Sequence, residues 1–172
     1  MSRSQARIHP VDQDSVFLGV VGNLRLAQEL VSLIIPSVHL VLDTCVIVAA
    51  LRSKQGASNK ILRCVALGTL SMSVSVAALF EYEDVLLRKD KIPGYSVSEL
   101  QRFLNDICAL SRHQEIFFTW RPTLSDPDDE IFLELAVAAS ATHIVTYNTK
   151  DFSRAARFGI RVVTPSELLK EI

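Results

Sequence analysis

VHLVLDT, residues 38–44, is a short apolar run that stops at a carboxylate followed by a hydroxyl side chain. Such a run is consistent with a buried strand, and here it presents Asp43 at the strand's carboxyl tip. Where strands alternate with helices, ligands bind outside the carboxyl ends of parallel strands. Asp43 therefore reads either as a helix N-cap or turn residue, or as an acid offered to a cleft. Three further acidic features stand downstream at comparable strand ends or helix starts: Glu81, the DPDD stretch at residues 126–129, and Asp151.

The pattern around this run is regular. The spacing predicts a first strand over 39–43, a helix capped by Ser58 and running through Leu67 to a stop at Gly68, a second strand over 70–74 and a second helix over 76–88. Proline and glycine in KDKIPGY, residues 89–95, break the chain. Ser96 and Glu99 form a capping box for a third helix reaching about Ser111. A strand over 115–119, a helix over 127–141 and strands over 143–147 and 161–163 come next. Thr164, Pro165 and Glu167 then supply an N-cap, a helix-start proline and a capping-box acid for a last helix. Strands alternating with helices imply a parallel sheet covered on both faces.

Composition agrees with a globular chain. With 172 residues, 49% hydrophobic and 22% charged, it has the length of one ordinary domain and the balance of an ordered, soluble one. Eighteen basic and nineteen acidic residues leave a net charge of −1, so any site for a polyanion must be local. Cys45, Cys64 and Cys108 are odd in number and without CxxC spacing, which argues against a zinc or disulfide framework and suits a reducing cytoplasm. Phe17 to Ile35 is apolar, but Arg25, Gln28 and Glu29 interrupt it before the ~20 residues that a membrane span requires. It reads instead as an amphipathic helix in an N-terminal extension, residues 1–38, ahead of a domain over 39–172.

Each acid has a plain reading beside its chemical one. Glu81 and Glu83 both lie among apolar neighbours at helical spacing, and helical geometry alone does not choose between them. Asp84 with Arg88 at i+4 is a surface ion pair. Asp126 suits an N-cap and Pro127 the first helical position, while Asp128, Asp129 and Glu130 favour the positive end of a helix. Four acids in five residues also suit a hard cation such as Mg²⁺, which is held through a few carboxylates and retains several waters. Asn148 and Asp151 follow the strand IVTYNTKDF, where an Asx turn is common. A cluster of four carboxylates on one side of the sheet would repel itself unless cations were bound.

VLDTCV with Asp43, LFEYEDVLLR with Glu81, DPDDEIFLELAVAASATHIVT and TYNTKDF together resemble the PIN domain, in particular its branch of toxins from toxin–antitoxin pairs. The resemblance covers roughly residues 39–165 and rests on the order and spacing of all four motifs. It implies a three-layer α/β/α sandwich that binds Mg²⁺ or Mn²⁺ and cleaves single-stranded RNA. Asp43 matches the first-strand acid, Glu81 the helix acid and Asp129 the acid opening the fourth helix. Many relatives carry an acid where this chain has Asn148, and Asp151, before the aromatic, is the matching fourth carboxylate. Thr44, Thr146 and Asn148 are then candidates for holding water or phosphate, and Arg52, Lys54, Arg88, Lys89 and Lys91 for gripping the RNA backbone. The family further implies a homodimer and a cognate antitoxin. The alternative is a degenerate domain that binds RNA or a partner without cutting. A haloacid-dehalogenase phosphatase needs an acid where Cys45 stands, a receiver domain lacks its acidic pair, and a dinucleotide-binding fold lacks GxGxxG.

Overall fold

The computed structural model describes residues 38–88, 92–117, 124 and 127–172. The expected helix over 17–35, Lys89, Lys91 and Asp126 lie outside the described residues. Strand β1 (His39–Leu42) has Leu40, Val41 and Leu42 completely buried. A strand covered on both faces needs an unbroken apolar run rather than alternation, which is why HLVL marks the centre of a sheet. β2 (Ser71–Val74), β3 (Arg112–His113), β4 (His143–Val145) and β5 (Arg161–Val163) complete it. All five are parallel, in the order β3-β2-β1-β4-β5.

Parallel neighbours require crossovers, and helices supply most of them. α1 (Thr44–Arg52) and α2 (Ala57–Ala66) join β1 to β2; α3 (Val76–Leu87) and α4 (Val97–Leu110) join β2 to β3; α5 (Pro127–Ala138) joins β3 to β4. A short 3₁₀ turn at Ala155–Phe158 leads to β5, and α6 (Pro165–Glu171) follows it. α1, α2 and α6 pack in sequence on one another; α3 packs on α4 and α5, and α5 lies on β1, β2 and β4. The result is the expected α/β/α sandwich.

The order of the strands locates the site. The chain steps outward from β1 to β3, then returns to the other side of β1 for β4 and steps outward again to β5. Leu42 lies opposite Val145, so the direction reverses between the tips of β1 and β4. That reversal is the switch point at which open α/β sheets form their ligand crevice.

Several details differ from the sequence reading. Helix α1 has no counterpart in it, because its Val-Ile-Val run carries no amphipathic period. The helix is buried on most sides, at Thr44, Val46, Ile47, Val48, Ala50 and Leu51, so no polar stripe marks it. Gly56, not Ser58, is the N-cap of α2, and Ser58 lies one residue inside the helix. The third strand is Arg112–His113, and residues 115–117 carry no strand; 118 and 119 lie outside the described residues. Both β3 residues are exposed at the sheet edge, so no buried apolar pattern announces them. α5 ends at Ala138 because the chain turns at Ser140, a non-glycine residue with φ of 51°. Both capping boxes, Ser96 with Glu99 and Thr164 with Glu167, form as expected.

Candidate active site at the tips of β1 and β4

Asp43 ends β1 and at the same time caps α1, its carboxylate accepting from the Cys45 N–H at 3.2 Å. The plain and the chemical readings of this residue are thus both open to it, because a cap uses only one of its two oxygens. The other, Oδ2, accepts from the Thr146 hydroxyl at 2.5 Å and from the Cys45 thiol at 3.0 Å. Asp43 is 5% exposed, and every donor that reaches it is uncharged. Among the described residues no cation pairs with it. Buried carboxylates are ordinarily paired with a cation or coordinate a metal.

Thr146 supplies the bridge across the switch point. Its side chain is fully buried, and its backbone is fixed by Thr146 N–H donating to the Val163 carbonyl at 3.0 Å. The hydroxyl gives its proton to Asp43 and accepts from the Asn148 N–H at 2.9 Å. Asn148 and Asp151 close a turn, with the Asp151 N–H on the Asn148 carbonyl at 3.0 Å, and both are exposed. Next to Asp43, the Thr44 hydroxyl is buried without a hydrogen-bond partner, an orphaned polar atom beside a carboxylate.

The Cys45 thiol is pushed up to about 12, by burial first and by the Asp43 charge second. It is therefore a thiol at neutral pH and a weak donor to Asp43. Tyr82 of α3 is fully buried and stacks on Phe132 of α5 with ring centroids 5.9 Å apart. Its hydroxyl donates to the Leu42 carbonyl at 2.5 Å, fastening α3 to the last residue of β1. Burial, and then the Asp43 charge, push this phenol well above its ordinary range.

The four expected acids are carried by segments that leave the carboxyl edge of the sheet, but they are not drawn into one cage. Glu81 and Asp129 are half-buried and Asp151 is exposed; no hydrogen bond joins any of them to Asp43. Among the described residues no three His, Cys, Asp or Glu side chains stand together as metal ligands. The buried face of α3 runs through Ala78, Tyr82, Val85 and Leu86, leaving Glu81 and Glu83 equally half-buried at its margins. Asp84 pairs with Arg88, as expected. Arg52 and Lys54 are exposed.

The sequence reading missed four contributors. Cys45 and Tyr82 hold Asp43 and its strand; helical spacing around the buried Tyr82 was the available signal. Glu130 and Glu134 of α5 are both buried, and Glu130 accepts from the Leu124 N–H at 2.6 Å. One acid of the DPDDE run is thus used to hold Leu124. Their i,i+4 spacing on the apolar face of a helix was the sign.

The sequence model of the PIN domain family matches residues 39–150. The chain belongs to the PIN domain family. The match includes Asp43, Glu81, Asp129, Thr146 and Asn148 and ends just before Asp151. PIN domains are in general nucleases and typically use divalent metals. No curated protein matches the chain.

The residues suit a hard cation. The donors at the tips are carboxylate and hydroxyl oxygens, the adjacent sulfur is held protonated, and a buried hydroxyl lacks a partner. Mg²⁺ is bound through one or two carboxylates with retained waters rather than by an all-protein cage, so a preformed group of three ligands is not required.

Proposed function

We propose that this protein is a metal-dependent endoribonuclease that hydrolyses phosphodiester bonds of single-stranded RNA, and that it is the toxin of a toxin–antitoxin pair. The observation that carries this reading is a buried carboxylate, Asp43, with no cation paired to it among the described residues and held by Thr146 at the switch point of a PIN domain. Asp43, Glu81, Asp129 and Asp151 would hold Mg²⁺ or Mn²⁺. When bound, such an ion lowers the pKa of its water and neutralises charge on the phosphate.

The protein's own part is orientation. Thr146 fixes the direction of the Asp43 carboxylate, and the unpaired Thr44 hydroxyl offers a hydrogen bond to a water or phosphate oxygen. Asn148 contributes a neutral amide where many relatives carry an acid. Arg52, Lys54 and Arg88 are exposed and would suit the RNA backbone; Arg88 also pairs with Asp84. A second reading, a domain that binds RNA or protein without cutting, is favoured by Asn148 and by the dispersed acids.

Incubation with single-stranded RNA and Mn²⁺ or Mg²⁺ is expected to give internal cleavage that a chelator stops and added metal restores. Cleavage indifferent to chelation would overturn the metal-dependent reading, and binding without cleavage would favour the second.

The protein is proposed to form a homodimer and to bind an antitoxin made alongside it. α3 supports this with an outward apolar face: Phe80 is 64% exposed and Val76 70%, beside a shallow groove lined by Glu83, Asp84, Leu87 and Arg88. Large exposed apolar side chains at helical spacing mark interaction surfaces. Light scattering on a sizing column is expected to give twice the chain mass, and only monomer at micromolar concentration would count against the dimer. No helix among the described residues is long and apolar enough to cross a membrane.

A further inference from the structure

Tyr147 is held in an unusual way. Its ring extends from the tip of β4 toward the start of α2, where its hydroxyl shares a hydrogen bond of 2.9 Å with the Ser58 hydroxyl. Ser58 is 1% exposed, whereas Tyr147 is 48% exposed. A surface tyrosine ordinarily buries its ring and leaves the hydroxyl in water. Here the polar end is anchored against a buried serine while about half of the residue stays exposed. The backbone is pinned as well: the Tyr147 N–H donates to Cys45 Sγ at 3.4 Å, and the preceding residue, Thr146, donates to Asp43.

The ring is therefore a presented aromatic face, fixed at its hydroxyl and its backbone, one residue from the hydroxyl that orients the candidate catalytic carboxylate. Arg52 and Lys54, both exposed, stand at the end of α1 and in the turn that leads to Ser58. An aromatic face beside cations is the combination that binds single strands: cations track the phosphates and the ring takes a base. Because every base has a π face, such a contact tolerates any sequence but requires the base to be unpaired. Anchoring the ring beforehand reduces the ordering cost that binding would otherwise carry.

We infer that Tyr147 is the platform on which an unpaired nucleobase of the RNA stacks, next to the phosphate that Asp43 addresses. This rests on the ribonuclease reading and adds a substrate contact to it. The contact selects single-stranded over duplex RNA, because a paired base cannot present its face to the ring.

The test is binding of a short single-stranded RNA, followed by fluorescence anisotropy in Asp43→Asn protein so that the strand stays intact. Tyr147→Leu, which fills the space without a π face, is expected to weaken binding by about 5- to 50-fold. Tyr147→Phe keeps the ring and is expected to stay within about threefold, since it loses only the neutral hydrogen bond to Ser58. An abasic nucleotide moved along the strand is expected to weaken binding at one position with Tyr147 present, and to have no effect at that position in Tyr147→Leu. Equal affinity of Tyr147→Leu and its parent, or an abasic penalty unchanged by the substitution, would overturn the platform while leaving the ribonuclease reading intact. Failure of the unaltered protein either to bind or to cleave RNA would overturn both.

Discussion

Asp43→Asn is expected to abolish RNA cleavage without unfolding the protein. Asparagine caps a helix as well as aspartate does, and its carbonyl oxygen retains the bond to the Cys45 N–H. Its amide faces the Thr146 hydroxyl and the Cys45 sulfur, both of which can accept. Stability should therefore change by no more than about 1 kcal/mol. The charge, however, is gone. Charge stabilisation by a metal-bound carboxylate site amounts to several kcal/mol of barrier, and each 1.36 kcal/mol is tenfold in rate, so cleavage should fall by at least about a thousandfold. Asp43→Ala is the contrasting variant: it loses the cap as well, at about 1 kcal/mol, and should show a lower Tm. Rapid cutting by well-folded Asp43→Asn protein would remove this carboxylate from the chemistry.

Thr146→Val is expected to damage stability and cleavage together. Valine has nearly the shape of threonine but no hydroxyl, and the hydroxyl bonds to the Asp43 carboxylate, accepts from the Asn148 N–H and meets the Cys45 sulfur at 3.6 Å. A hydrogen bond to a charged group contributes about 1.5–3 kcal/mol, and an abandoned buried partner adds its desolvation cost. The sum is roughly 2–4 kcal/mol, or a Tm lower by about 5–15 °C for a chain of this size. Thr146→Ser restores the hydroxyl and should recover most of both properties. If Thr146→Val melted and cut like the unaltered protein, the bridge across the switch point would have no energetic weight.

What the sequence made legible was the part governed by local pattern. HLVL at 39–42, SMSV at 71–74 and the two capping boxes are decided by neighbours in the chain, and they form close to where they were expected. Helix α1 was invisible because its burial on most sides erases the amphipathic period, and β3 because two exposed residues at a sheet edge leave no hydrophobic signature. The identity of the cap of α2 was misjudged for a related reason. Ser58 looks like a cap locally, yet its hydroxyl is directed to Tyr147, 89 residues away in the chain. The acids were legible as residue types, but their environments were not: that the Asp43 carboxylate accepts from the Thr146 hydroxyl depends on long-range packing that no spacing rule encodes.

The bond between Asp43 and Thr146 joins residues 103 positions apart, and this separation has a consequence for synthesis. β1 is the first strand described and also the central one, but its neighbour β4 is translated long after it. A chain emerging from the ribosome thus carries Asp43 for most of its length without the strand, the hydroxyl donor or the aromatic face that complete the site. Loop closure over such a distance is unfavourable until the intervening helices have packed. The pairing of Asp43 with Thr146 accordingly arrives only with the last third of the chain.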